Sequence, residues 1–177
     1  MSLEKTHLKH KHGAPKILNY SVLIVSDTRY LEVEAGKKST DMTIPLIKKI
    51  LEKNNQNFVS FQIVPDENER IKEVLLQLIK EKNDIIITSG GTGISKRDVT
   101  IETVKPLFEK TLEGFGELFR YLSYKEIGSS AMLSRASAGI INNKIIFCLP
   151  GSPNAVKLAL ENLILPEAGH IKKMIKK

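Results

Sequence analysis

Three aspartates and one glycine-rich turn carry the chemistry this sequence has to offer. Asp27, Asp41 and Asp98 each lie just past a candidate strand end or at the start of the helix that follows. The turn, Thr88-Ser89-Gly90-Gly91-Thr92-Gly93, closes the apolar run Ile85-Ile86-Ile87 and precedes Asp98 by a few residues. Glycines take backbone angles closed to other residues, so successive amides can turn inward as an anion nest. Thr88, Ser89 and Thr92 add hydroxyl donors. Carboxylates beside such a nest suit a magnesium–phosphate site, because magnesium binds through one or two carboxylates, phosphate oxygens and water. Taken alone, each aspartate is more often a helix cap or turn former, Asp41 above all, and a lone glycine turn is as often a plain connector.

The turn fits neither of two familiar phosphate-binding templates. A Walker A loop needs G-x-x-x-x-G-K-[ST], but here Lys96 follows Ser95 and is itself followed by Arg97. A dinucleotide fingerprint needs G-x-G-x-x-G, and after Gly91 and Gly93 the third position holds Lys96. Lys96 and Arg97 are nevertheless placed to offset phosphate charge.

The rest of the chain narrows the function class. With 177 residues, 41% apolar and 27% charged, it can bury one sizeable core. No apolar run approaches the roughly 20 residues that span a bilayer, and the first residues lack the apolar stretch of a secretory signal. The expected compartment is the cytoplasm, with no membrane partner. The single cysteine, Cys148, sits inside the apolar run IIFCLP and reads as core. Net charge is +7, but residues 1–16 carry +3 and residues 171–177 carry +4, which leaves the body neutral. A nucleic-acid-binding domain would show a basic face instead, so no nucleic acid is expected and the basic ends read as solvated. Residues 1–15 read as a flexible basic tail and 16–177 as one domain. His7, His10 and His12 fall in that tail with no cysteine partner for a metal and read as part of it.

To position the site, strands must alternate with helices. Strands are expected over 17–26, 58–64 and 84–88, and over 138–141 and 144–149 around an Asn142-Asn143 hairpin turn. Helices are expected from Asp41 to Lys53, after Asp66 with Glu69 completing a capping box, from Thr100 to about Glu109 with Pro106 shortening it, and from Ser152-Pro153 onward. Residues 27–40 read as a loop, and 112–136 as helical in part. Phe115, Phe119, Tyr121 and Tyr124 cluster there. Strands apolar on both faces argue for a mainly parallel sheet, an α/β three-layer α/β/α sandwich, with ligands at the carboxyl ends of the strands.

The ordered motifs VSDTR (25–29), TSGGTG (88–93), RDVT (97–100), LSRASAG (133–139) and LPGSPNAV (149–156) resemble the MoaB/Mog family of molybdenum cofactor biosynthesis proteins, its MoaB branch in particular, which is related to the gephyrin G domain. The resemblance runs from about Lys16 to His170. It implies a mainly parallel α/β sandwich, binding of molybdopterin, and transfer of AMP from ATP to the pterin phosphate with magnesium and release of pyrophosphate. The alternative is a protein that binds or carries molybdopterin without adenylylating it. Family aspartates fall on Asp41 and Asp98, which become the candidate catalytic residues and metal ligands. By the same resemblance Asp27, Thr28, Thr88, Ser89, Gly90, Gly91, Thr92, Gly93, Arg97, Ser134, Arg135, Gly151, Ser152, Pro153 and Asn154 line the substrate pocket, and the chain forms a homotrimer or a dimer of trimers. Two positions depart from the family pattern. Serine-glycine after the first aspartate is Thr43-Ile44 here, and the proline after RDVT is Ile101.

Overall fold

A computed structural model describes residues 12–176. Its frame is one six-stranded sheet in the order β2-β1-β3-β6-β5-β4. The strands are β1 (Asn19–Val25), β2 (Asn57–Val64), β3 (Ile85–Ser89), β4 (Lys110–Thr111), β5 (Ser137–Ile141) and β6 (Lys144–Leu149). β2, β1, β3 and β6 run parallel, and β5 and β4 add an antiparallel edge. The expected hairpin joins β5 to β6, with Asn142 and Asn143 both at positive φ (47° and 60°) as a tight turn of this hand requires. The sheet is therefore mainly parallel, as the doubly apolar strands imply.

Side-chain alternation divides the core in two. Val22, Ile24, Ile85, Ile87, Ile145 and Phe147 face one side of the sheet, and Leu23, Val25, Ile86, Ile146 and Cys148 face the other. On the first side pack α2 (Thr43–Lys53), α5 (Glu113–Ile127) and α6 (Pro153–Ala159), which continues through a π-helical turn into α7 (Leu165–Ile175). On the second side lie α3 (Asn68–Lys80) and the short α4 (Thr100–Val104). This is the three-layer α/β/α arrangement. Among the described residues no helix is long and apolar enough to cross a membrane.

Several local expectations change. Residues 27–34, read as loop, form α1 (Asp27–Glu34), capped by the Ser26 hydroxyl. The helix buries no residue, so it leaves no periodic apolar signal. The helix read from Asp41 starts at Thr43, but the Asp41 carboxylate still caps it by accepting the Ile44 N–H at 2.7 Å. Ile44 is helical and buried, so a side chain there is accommodated. Asp66 does not form the expected capping box, since α3 begins at Asn68 with no side-chain cap. Thr100 is not a cap either: its hydroxyl donates to the Gly90 carbonyl at 2.9 Å. Pro106 does shorten that helix, which gives way to a 3-10 turn at Lys105–Leu107. Residues 112–136 are helical in part, with α5 ending at Gly128 and a 3-10 segment running to Leu133.

Among the described residues, part of each basic end packs against the fold. Lys172 lies on α7 with its side chain 6% exposed, 3.1 Å from the Asp84 carboxylate. Residues 12–15 lie against the same helix, where a Cβ at Gly169 would strike the Pro15 carbonyl. His7 and His10 lie outside the described residues. His12 and His170 line one cavity, but among the described residues no group of three His, Cys, Asp or Glu side chains is placed to hold a metal ion.

Candidate functional site

The carboxyl ends of β1, β2, β3 and β6 meet at one edge of the sheet. The strand order reverses there, because β1 leads to β2 on one side while β3 pairs on its other side. That is where open parallel sheets bind ligands. Each strand delivers one segment: Ser26-Asp27 from β1, Pro65-Asp66 from β2, Gly90 to Asp98 from β3, and Pro150 to Asn154 from β6.

The glycine loop is held by its neighbours. Gly90 (φ 109°) and Gly91 (φ 60°) take left-handed conformations. The Gly90 N–H donates to Leu149 O at 3.1 Å, and Thr100 returns its own N–H to Gly91 O at 2.9 Å. A Cβ at Gly91 would sit 2.8 Å from Asp66 Oδ1. Among the described residues the N–H groups of Gly91, Thr92 and Gly93 meet no protein acceptor, as a nest requires. Of the three hydroxyl residues, Ser89 and Thr92 each line a cavity and Thr88 lines neither. Thr88 is fully buried beside Cys148, Ser89 donates to Pro150 O at 3.2 Å, and Thr92 is buried with its carbonyl accepting Arg135 Nε at 3.1 Å. Burial pushes the Cys148 thiol up to about 12, so it is core, as its sequence context suggests.

Asp98 stands at the loop's far end. Its Oδ2 accepts the Ser95 N–H at 2.9 Å, which turns residues 95–98 into a compact bend. Asp27 and Asp66 are linked reciprocally. The Asp27 N–H donates to Asp66 Oδ2 at 3.2 Å, and the Asp66 N–H donates to Asp27 Oδ1 at 3.1 Å. Arg97 pairs with the other oxygen of Asp27. The Asp66 carboxyl is raised above the usual carboxylate range, first by burial and then by the Asp27 and Asp98 charges, against a lowering contribution from the Asp27 N–H and Arg97. Asp66 is the residue sequence reading misassigned. Its D-x-x-E pattern is a local capping signal, whereas its partner Asp27 is 39 residues away and arrives only through β1–β2 pairing.

Arg135 organises the loop. Its guanidinium donates to Thr92 O and, at 3.3 Å, to Asp98 O, while gripping the Glu102 carboxylate with both terminal nitrogens. The hydrogen bonds with Arg135 lower the Glu102 carboxyl.

Two cavities open at this edge. One, about 380 Å³, is lined by Gly90 to Gly93, Asp98, Ser134, Gly151 and Ser152. The other, about 300 Å³, is lined by Ser26, Arg29, Asp41, Ser89, Gly151 and Pro153. Gly151 belongs to both, and a Cβ on it would lie 3.3 Å from Gly90 Cα. The two cavities thus meet where the Gly151 and Gly90 backbones approach closely. Asp41 and Asp98, paired in the sequence reading, fall in different cavities, while Asp27 and Asp66 are hydrogen-bonded to each other and line neither, with the Asp98 charge acting on Asp66. Thr28 and Asn154 are exposed near the edge and line neither cavity.

A family model described as "Probable molybdopterin binding domain" matches residues 21–170. Molybdenum cofactor biosynthesis protein B of Bacillus cereus is 48% identical over 165 residues, covering 92% of this chain and 94% of its own. The protein of the same name from Bacillus subtilis is 45% identical over 171 residues, covering 96% of each chain. Among solved structures, the tungsten cofactor synthesizing protein MoaB from Pyrococcus furiosus superposes with a TM-score of 0.81 at 43% identity, covering 93% of this chain and all of that one.

Proposed function

The chain belongs to the molybdopterin-binding-domain family and is a molybdenum cofactor biosynthesis protein, and on that premise we propose that it adenylylates molybdopterin with ATP. The observation that carries this reading is the pair of cavities, of about 300 and 380 Å³, that meet at Gly151, which lines both. A pure carrier needs one ligand pocket, whereas a transferase must bring two phosphates together. One substrate in each cavity would have its phosphate at that glycine.

The reaction is attack of a pterin phosphate oxygen on the α-phosphorus of ATP. A new phosphoanhydride bond forms, the bond from the α-phosphorus to the bridging oxygen breaks, and pyrophosphate leaves with that electron pair. A phosphate monoester has its second pKa near ~6, so at neutral pH the nucleophile is already mostly a dianion and needs no base. The chain's work is positioning and charge neutralisation. The Gly91 to Gly93 amides receive phosphate oxygens, Arg97 offsets their charge, and Arg135 keeps the loop in shape. Asp41 orients the ligand in its own cavity.

The carboxylates suit magnesium. Burial and like charges raise Asp66, the mark of negative charge that a hard cation would relieve. Asp98, which lines the glycine-loop cavity, would supply a carboxylate to the ion, with phosphate oxygens and water as its other ligands, and when bound the ion would offset phosphate charge. The proposed assembly is a homotrimer or dimer of trimers. Its support is an exposed apolar strip on α5 and the turn after it, including Tyr121 (57% exposed), Tyr124 (62%) and Met132 (79%). Phe115 and Phe119 of the same aromatic cluster are core. Light scattering tests the assembly, and a mass near 19.8 kDa refutes it. The activity is tested by mixing protein, molybdopterin, ATP and magnesium. Stoichiometric, magnesium-dependent pyrophosphate release supports transfer, and tight pterin binding with no release assigns a carrier.

A further inference from the structure

A third cavity, about 370 Å³, borders the glycine-loop cavity and shares Ser134 with it. Three cations from three segments line it: Lys105 after α4, Arg120 on α5, and Arg135 before β5. The Arg135 charge is matched by Glu102. Arg120 and Lys105 are not matched: among the described residues neither has a carboxylate within 4.0 Å, and Arg120 is half-buried. A guanidinium partly withdrawn from water without a counter-charge is costly unless an anion visits it. Glu113 also lines the cavity, but it is exposed and sits in the first turn of α5, where the helix end favours a carboxylate.

The backbone is shaped around this arginine. Arg120 folds back along its own helix over Gly116, where a Cβ would lie 3.0 Å from Nη1 and 2.8 Å from Ala136 O. Only glycine clears the Ala136 carbonyl here, and the guanidinium uses the space that this glycine leaves. Ser134 and Ser137 bring hydroxyl donors to the same cavity.

We propose that this cavity is a second anion site, in which Arg120, Lys105 and the Ser134 and Ser137 hydroxyls hold a phosphate-type oxyanion. Arg120 supplies a two-pronged contact and Lys105 a mobile charge at the rim. The oxyanion is either free, as pyrophosphate, or the polyphosphate of a nucleotide reaching past Ser134. The site rests on the cavity and its unmatched cations and not on adenylyl transfer.

Calorimetric titration of the full chain with pyrophosphate, and separately with ATP, tests it. Arg120→Gln is expected to weaken at least one of the two by about tenfold or more, the range for losing a charge-assisted pair. Lys105→Gln, a surface change that leaves folding untouched, is expected to weaken the same ligand about threefold. Gly116→Ala should reproduce part of the Arg120 loss with every charge still present. Loss for pyrophosphate alone assigns a free oxyanion, and loss for ATP assigns the nucleotide's polyphosphate. If the wild type binds neither, or if Arg120→Gln and Lys105→Gln bind both as the wild type does, the proposal is overturned.

Discussion

The two ends of the parallel strands treat charge in opposite ways. At the amino ends Asp84 meets Lys172 at 3.1 Å and accepts the Asn19 N–H at 3.0 Å, and Lys144 donates to the Glu81 carbonyl at 3.0 Å. Burial pushes the Asp84 carboxyl up, but the Asn19 N–H and Lys172 outweigh it and the net shift is downward. At the carboxyl ends Asp27, Asp66 and Asp98 gather with Arg97 as their nearby cation, and Asp66 is shifted upward. One end is built so that its charges satisfy each other. The other gathers three carboxylates around one salt bridge, Arg97 to Asp27, and leaves Asp66 shifted against its charged form. On the proposed function, the first end contributes stability and the second binds ligand.

The largest expected effect falls at the functional end. Asp98→Asn keeps the side-chain shape and the bend at Ser95 but removes a negative charge, and should lower adenylyl transfer at least about 100-fold with an unchanged circular dichroism spectrum. Wild-type turnover in a folded variant would remove Asp98 from the account. Asp66→Asn should also lower transfer strongly, yet melt at a higher temperature than the wild type, because it discards an ionised group that the fold disfavours.

Next in size is the structural end. Lys172→Met should cost about 2 kcal/mol in denaturant unfolding, since it strands a partly buried Asp84, and should leave transfer unchanged. Loss of transfer at full stability would break the division between the ends.

The smallest effect is a difference in pH dependence. Asp84 is depressed in the fold, so its stabilisation is present above the ordinary carboxylate value and fades as pH falls through the lower, folded value. Asp66 is raised, so it penalises the fold as pH rises from the ordinary value through the higher, folded one, and the penalty persists above. The gain in melting temperature from Asp66→Asn should therefore be larger near about pH 7 than near about pH 3.5. Equal gains at both values would mean that Asp66 is not perturbed.

How much of this was legible in the sequence depends on whether the cause was local. β3, β6 and α3 announce themselves, because continuous burial or one buried helical face writes a pattern into consecutive residues. α1 does not, because it buries nothing. The glycine loop and Asp98 were legible as a candidate site, since their spacing is short. Asp66 was not, because its meaning depends on strand pairing. The inward turn of Thr88 follows from sheet parity with Ile86, which the run Ile85-Ile86-Ile87 conceals by being apolar on both faces. Arg135 was legible as a cation near the site, but its grip on Thr92 and Asp98 carbonyls exists only in the folded chain.

The most direct test follows the α-phosphate. Protein, molybdopterin and magnesium are incubated with ATP labelled at the α-phosphorus, and the label on the pterin is counted for the wild type, Asp66→Asn, Asp98→Asn and Lys172→Met. The account predicts label on the pterin with the wild type and Lys172→Met, and little or none with the two aspartate variants. No label with a folded, pterin-binding wild type would contradict it, as would full labelling by both aspartate variants.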